Sequence, residues 1–268
     1  MRISLKRIKN IIDIPLDPTI GKERINVNSL KFKDVSFSYG KEYILSNINF
    51  EVPPSCKLAI VGDTGSGKST LVKLIAGLYP ISTGEIAYYY KNHRKEGVPK
   101  ISYLLQDGYL FDTSIKNNIK IFNEKLSEEE VEHLIELCGL KNLNKAYTEE
   151  TIGENGKYLS GGEKRRVELA RVLANKDASI YIFDELTSSL DKNTARVLLN
   201  NVLKELNNKI CIFIEHNLEF TKGMDLIIVI KDGRIVELGT YEELMNKKGY
   251  YHMLMLSSGQ EKVHKADF

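Results

Sequence analysis

Hydrophobic and polar residues alternate in two stretches early in the chain. Phe32, Val35 and Phe37 mark a strand over Leu30–Tyr39, and the same period returns over Ile44–Val52. A third strand, Lys57–Val61, runs directly into a glycine-rich turn and a helix predicted over Lys68–Ala76, closed by Gly77 and Pro80. Strands are also predicted at Glu85–Tyr90 and Ile101–Gln106. The middle of the chain turns helical: Ser127 and Glu130 form a capping box, Val131, Leu134, Ile135 and Cys138 follow at helical spacing, and Gly139 ends the run. A second helix follows Gly161-Gly162 and reaches about Ala174. Strand and helix then alternate through Ser179–Phe183, a helix carrying Ala195, Leu198, Leu199, Val202, Leu203 and Leu206, and Ile210–Ile214. Strands at Leu226–Ile230 and Arg234–Leu238 precede short C-terminal helices. This alternation predicts an α/β fold centred on a parallel sheet.

The two ends differ from this pattern. In residues 1–27, Ile3, Leu5, Ile8, Ile11 and Ile12 share one helical face among Arg2, Lys6, Arg7 and Lys9. Pro15 and Pro18 stop that leader helix, and a polar linker is expected up to Asn28. Residues 257–268 are expected to form a disordered polar tail.

Composition narrows the function classes. A net charge of +2 over 268 residues argues against a large basic face for nucleic acid. Cys56, Cys138 and Cys211 are isolated and lack metal-ligand spacing, so they read as reduced core residues on the cytosolic side of a membrane. No apolar run approaches the ~18 residues needed to span a bilayer.

The chemistry concentrates in two motifs. Gly62-Asp63-Thr64-Gly65-Ser66-Gly67-Lys68-Ser69 matches the G-x-x-x-x-G-K-[ST] phosphate loop, and it lies between a strand and a helix as that motif requires. Its glycines let successive N–H groups converge on phosphate oxygens, and the helix start adds its positive dipole end. Lys68 would reach the β- and γ-phosphates and Ser69 would ligate Mg²⁺. The second motif is the apolar strand Ile180-Tyr181-Ile182-Phe183 ending in Asp184-Glu185. Asp184 is placed to hold Mg²⁺ through its water shell, and Glu185 to polarise the attacking water.

Leu159-Ser160-Gly161-Gly162-Glu163 lies between these motifs, and with it the chain resembles the nucleotide-binding domain of ATP-binding cassette (ABC) transporters, whose signature is usually LSGGQ. Glu163 stands where that signature has glutamine, beside the expected phosphate contacts. The resemblance covers about residues 30–256 and implies a P-loop NTPase (RecA-like) core with a mainly parallel sheet. It also implies an antiparallel β subdomain and an inserted α-helical signature subdomain at about 112–172, within a domain spanning 28–256.

The resemblance implies roles residue by residue. Gly62 through Thr70 hold the nucleotide. Tyr39, which alone would more often be a core aromatic, stacks on adenine. Gln106 touches Mg²⁺ and reports occupancy to a membrane domain. His216, which alone would read as a loop histidine, switches on the γ-phosphate. Ser188-Ser189-Leu190-Asp191 resembles the inter-subunit loop, with Asp191 near the nucleotide. Ser160, Gly161 and Gly162 grip the γ-phosphate of ATP held by a second, identical or different, nucleotide-binding domain.

Leu104–Phe111 with Ser114–Ile119, Thr151–Gly156, and Gly239–Leu244 with Gly249-Tyr250-Tyr251 resemble the exporter branch, and Ser4–Ile8 resembles the tail of a last transmembrane helix. The implied protein is an ATPase using ATP and Mg²⁺ at the cytoplasmic face of a membrane. It works with a transmembrane domain carried on the same polypeptide or encoded separately. A binding-only regulatory module and a nucleic-acid ATPase of the same fold are the alternatives. Against them stand the paired Glu185 and His216, the absence of a long coiled coil between phosphate loop and signature, and the presence of one cassette rather than two.

Overall fold

The structure is a computed structural model that describes residues 21–141, 143 and 150–260. The expected leader helix over residues 3–12 lies outside the described residues, as does the tail beyond 260.

In chain order the strands are β1 (Arg24–Ile25), β2 (Ser29–Ser38), β3 (Tyr43–Val52), β4 (Lys57–Val61), β5 (Thr83–Tyr90), β6 (His93–Lys95), β7 (Val98–Pro99), β8 (Ile101–Leu104), β9 (Ile180–Asp184), β10 (Ile210–Ile214), β11 (Leu226–Lys231) and β12 (Arg234–Gly239). The helices are α1 (Lys68–Ile75), α2 (Ile115–Lys120), α3 (Glu128–Leu137), α4 (Gly161–Leu173), α5 (Lys192–Glu205), α6 (Tyr241–Lys247) and α7 (Tyr250–Gln260).

The main sheet has the order β12-β11-β4-β10-β9-β8, parallel except for the antiparallel edge strand β12. β4, β9 and β10 are buried at every position, as expected of parallel strands covered on both faces. Their alternate residues feed two cores. Ala59, Val61, Tyr181, Phe183, Cys211 and Phe213 pack with Ile119, Val131, Leu134, Val167 and Leu198 from α2, α3, α4 and α5. Leu58, Ile60, Ile180, Ile182, Ile212 and Ile214 pack with Leu71, Leu74 and Ile75 of α1 and with Phe32, Phe37, Leu45 and Phe50 of the antiparallel sheet β3-β2-β5-β6. All three cysteines are buried and free.

The polar linker expected up to Asn28 contains a strand. β1 pairs in parallel with β7, with Val98 N–H donating to Glu23 O and Lys100 N–H to Ile25 O, both at 2.9 Å. Two-residue strands are too short to carry a period, and β6 is all polar, so neither was legible by alternation. The last helix continues through Gln260, four residues into the stretch expected to be disordered. Tyr251 anchors it: fully buried, its OH pairs with Thr221 Oγ1 at 2.6 Å.

Candidate functional site

The phosphate-loop backbone needs its glycines. Gly62 has φ +145°, and a Cβ there would lie 2.0 Å from Ile230 O, so no side chain fits. Gly67, at φ +107°, is the residue from which α1 starts, and a Cβ there would press on Leu45. Lys68 is buried and its Nζ donates to Gly62 O and Asp63 O, each at 2.8 Å, which folds the loop over its own cation. Burial holds its pKa below the usual lysine value, while Asp63, Asp184 and Glu185 work in the opposite direction. Ser66 Oγ is buried and has no partner among the described residues, so the loop holds an orphaned hydroxyl. Such a cradle suits a polyphosphate.

Sheet register brings the acid pair to this loop. Ile60, one residue from the end of β4, is aligned with Ile214 of β10, which is aligned in turn with Asp184 of β9. Asp184 is buried; desolvation and neighbouring Glu185 raise its pKa, and Tyr103 OH donates to its Oδ2 at 3.4 Å. Glu185 follows in the left-handed region at φ +56°, a conformation that costs a non-glycine residue about 1 kcal/mol or more. It is held there by its N–H donating to Ile214 O at 2.9 Å and by Ser188 Oγ donating to its carbonyl at 2.9 Å.

Three residues predicted separately from the sequence meet at one atom. Gln106 Nε2 donates to Glu185 Oε1 at 3.1 Å, and His216 Nε2 lies 3.0 Å from the same oxygen. His216 thus faces the acid pair. Tyr39 is 56% exposed rather than a core aromatic. Its ring is buttressed edge-on by Phe37 and Tyr79 at 4.8 and 5.3 Å, and its OH sits 3.5 Å from Thr70 Oγ1 in the first turn of α1. The result is an aromatic platform beside the phosphate loop.

The contacts of the signature residues run elsewhere. Ser160 caps α4: its Oγ accepts from Glu163 N–H at 3.3 Å, and Glu163 Oε2 accepts from Ser160 N–H at 2.7 Å. Glu163, the departure from the usual glutamine, therefore completes a capping box. A Cβ on Gly162 would lie 3.0 Å from Ser189 O, so the signature abuts the Ser188–Asp191 loop. The Asp191 carboxylate is occupied in capping α5, accepting from Asn193 and Thr194 N–H at 3.1 and 3.0 Å.

Among the described residues no cluster of three or more His, Cys, Asp or Glu side chains is arranged to hold a metal. The expected Mg²⁺ set of Ser69, Gln106 and Asp184 is all oxygen, with one carboxylate. Such a set suits a hard cation that completes its shell with phosphate and water oxygens.

Among the buried charged groups that sequence reasoning missed, Arg165 and Glu215 lie nearest the site. Arg165 lies on the core-facing stripe of α4, and the signal was a charged i, i+3 pair, Arg165 and Glu168, among apolar positions. Glu215 is 4% exposed; its Oε2 accepts from Thr187 Oγ1 at 2.8 Å and its Oε1 is buried without a partner. Desolvation pushes its pKa up to about 7. The folded protein thus binds a proton that the unfolded chain releases near pH 4.5, so the contribution of Glu215 to stability is fullest below pH 4.5 and is lost as pH rises towards 7. Glu215→Gln should remove that slope and be more stable than the parent at pH 8 by about 2–3 kcal/mol. Urea melts of both proteins from pH 5 to 8 measure it, and parallel pH profiles would refute it.

A glycine-rich phosphate loop before a helix, with an acid pair at the end of a parallel strand one strand removed in the same sheet, defines a P-loop NTPase. The comparisons with known proteins narrow the class. The family model described as ABC transporter matches residues 45–188, and the chain belongs to that family. It is 35% identical over 263 residues to an ATP-dependent lipid A-core flippase of Desulfotalea psychrophila, covering 94% of this chain and 46% of that one. It is 36% identical over 229 residues to the mitochondrial iron-sulfur clusters transporter ATM1 of Candida glabrata, covering 82% of this chain and 31% of that one. A bacterial Atm1-family ABC exporter with ATP bound superposes with a TM-score of 0.85 at 28% identity, over 96% of this chain and 47% of that one. The chain spans less than half the length of these relatives and corresponds to an exporter-type nucleotide-binding domain. No described helix is long and apolar enough to cross a membrane.

Proposed function

We propose that this chain is the ATP-hydrolysing motor of an ABC exporter, working at the cytoplasmic face of a membrane against a transmembrane domain. The observation that carries the reading is the convergence of Gln106 and His216 on Glu185 Oε1, one residue beyond Asp184.

In this mechanism Lys68 gives up its loop carbonyls to the β- and γ-phosphates, and the phosphate-loop amides and Ser66 hydroxyl complete the cradle. Tyr39 stacks on the base. Glu185 accepts the proton of the attacking water, with Gln106 and His216 fixing its carboxylate. Mg²⁺, held by Ser69, Gln106 and Asp184, would neutralise charge developing on the phosphate oxygens. Ser160 to Gly162 head the capped α4 and abut the Ser188–Asp191 loop. They supply the γ-phosphate contacts for a second nucleotide-binding domain, identical or different, so two domains close head to tail over two ATP molecules and reopen after hydrolysis.

The purified chain should release phosphate from ATP in the presence of Mg²⁺, lose that activity when the metal is chelated, and recover it on re-addition. An inert chain that still binds ATP would point to a binding-only module instead.

A further inference from the structure

The buried guanidinium of Arg165 lies at a junction of three site elements. It sits on the core-facing side of α4, five residues after Ser160, and is 5% exposed. Its Nη2 donates to the carbonyls of both Asp184 and Glu185, the latter at 3.0 Å. Its Nη1 donates to the carbonyl of Leu105, immediately before Gln106, and to Glu168 Oε2 at 3.2 Å. Glu168 in turn lies against the Gln106 loop: a Cβ on Gly108 would be 2.5 Å from its carboxyl carbon. Burial raises the Glu168 pKa, and the charge and hydrogen bond of Arg165 oppose that rise.

These bonds fall on backbone whose shape matters. Glu185 occupies a left-handed conformation that a non-glycine residue keeps only when its surroundings impose it, and Arg165 grips the two carbonyls that flank the Glu185 Cα, those of Asp184 and Glu185. A planar, five-donor guanidinium can satisfy carbonyls on two separate loops and pair with Glu168 at once, in a fixed fork that the three rotatable donors of an ammonium do not reproduce. We infer that Arg165 is a positioning residue that ties the backbone of Asp184, Glu185 and the Gln106 loop to the signature helix. In the head-to-tail reading above, on which this part rests, one end of α4 faces the partner's nucleotide while Arg165 holds its own chain's base.

Arg165→Met and Arg165→Lys, compared with the parent, test this by two readouts. The first is hydrogen exchange without nucleotide. Peptides covering 104–108 and 184–188 should exchange about 10-fold faster in Arg165→Met, while peptides from β4 and β10 stay unchanged. The second is phosphate release: turnover at saturating ATP should fall about 30-fold, with affinity for a fluorescent ATP analogue within about threefold of the parent. Arg165→Lys should fall between the two proteins in both readouts, and it decides the matter if the methionine variant fails to fold. Unchanged exchange in those two segments would overturn the assignment, as would exchange that rises equally throughout the chain. A parent that hydrolyses nothing would sink the motor reading, and the exchange readout would still decide what Arg165 holds.

Discussion

Glu185→Gln should cut ATP turnover by about 100-fold or more while leaving ATP binding within a few-fold of the parent. A positioned general base contributes roughly 10²–10⁴ in rate, and Glu185 is the carboxylate on which Gln106 and His216 converge. Glutamine has the same shape and keeps an acceptor oxygen for those partners, so local geometry survives and only the proton acceptor is lost. In the head-to-tail reading the variant also holds unhydrolysed ATP between two domains, which blocks reopening. Gel filtration with Mg-ATP should therefore shift Glu185→Gln from monomer to dimer, and the parent much less. A variant that turns over at the parent rate would remove Glu185 from the chemistry.

Lys68→Ala should weaken Mg-ATP binding about 100-fold, close to 3 kcal/mol, because charge-assisted hydrogen bonds to phosphate are worth roughly 1.5–3 kcal/mol each. Stability should respond differently. Among the described residues Lys68 donates to Gly62 O and Asp63 O, and its burial disfavours the charge it carries. Removing it costs those two bonds but also relieves that desolvation, so the change in unfolding free energy should stay within about 1 kcal/mol. Calorimetric titration with Mg-ATP alongside a thermal melt separates the two effects. Binding within threefold of the parent would mean that this loop does not hold phosphate.

How much of this was visible beforehand depended on whether the physics was local. The phosphate loop was legible because its glycines answer a local backbone demand that shows in spacing alone: Gly62, Gly65 and Gly67 all take positive φ. The capping boxes at Ser127 and Ser160 are likewise four-residue affairs, although only the Ser127 pair was read in advance. β4, β9 and β10 were legible as short apolar runs bounded by turns. Tyr39 and His216 were less so: each had a bland alternative, and only the fold shows Tyr39 exposed and His216 beside Glu185. Exposure of Tyr39 and the contact of His216 with Glu185 depend on chain segments more than 25 residues away. Arg165 and Glu215 were missed for the same reason. A charged side chain in a sequence defaults to a solvated face, and only tertiary packing reveals it as buried. Pairing of β1 with β7 left no trace in the pattern because each strand contributes just two residues.

The motor reading is tested most directly by a single turnover. Radiolabelled ATP is bound to the parent and to Glu185→Gln, Mg²⁺ is added, and samples are quenched over time. The parent should convert its bound ATP to ADP and phosphate, while Glu185→Gln retains intact nucleotide through many parent half-times. Equal conversion in both proteins, or none in the parent, would contradict it.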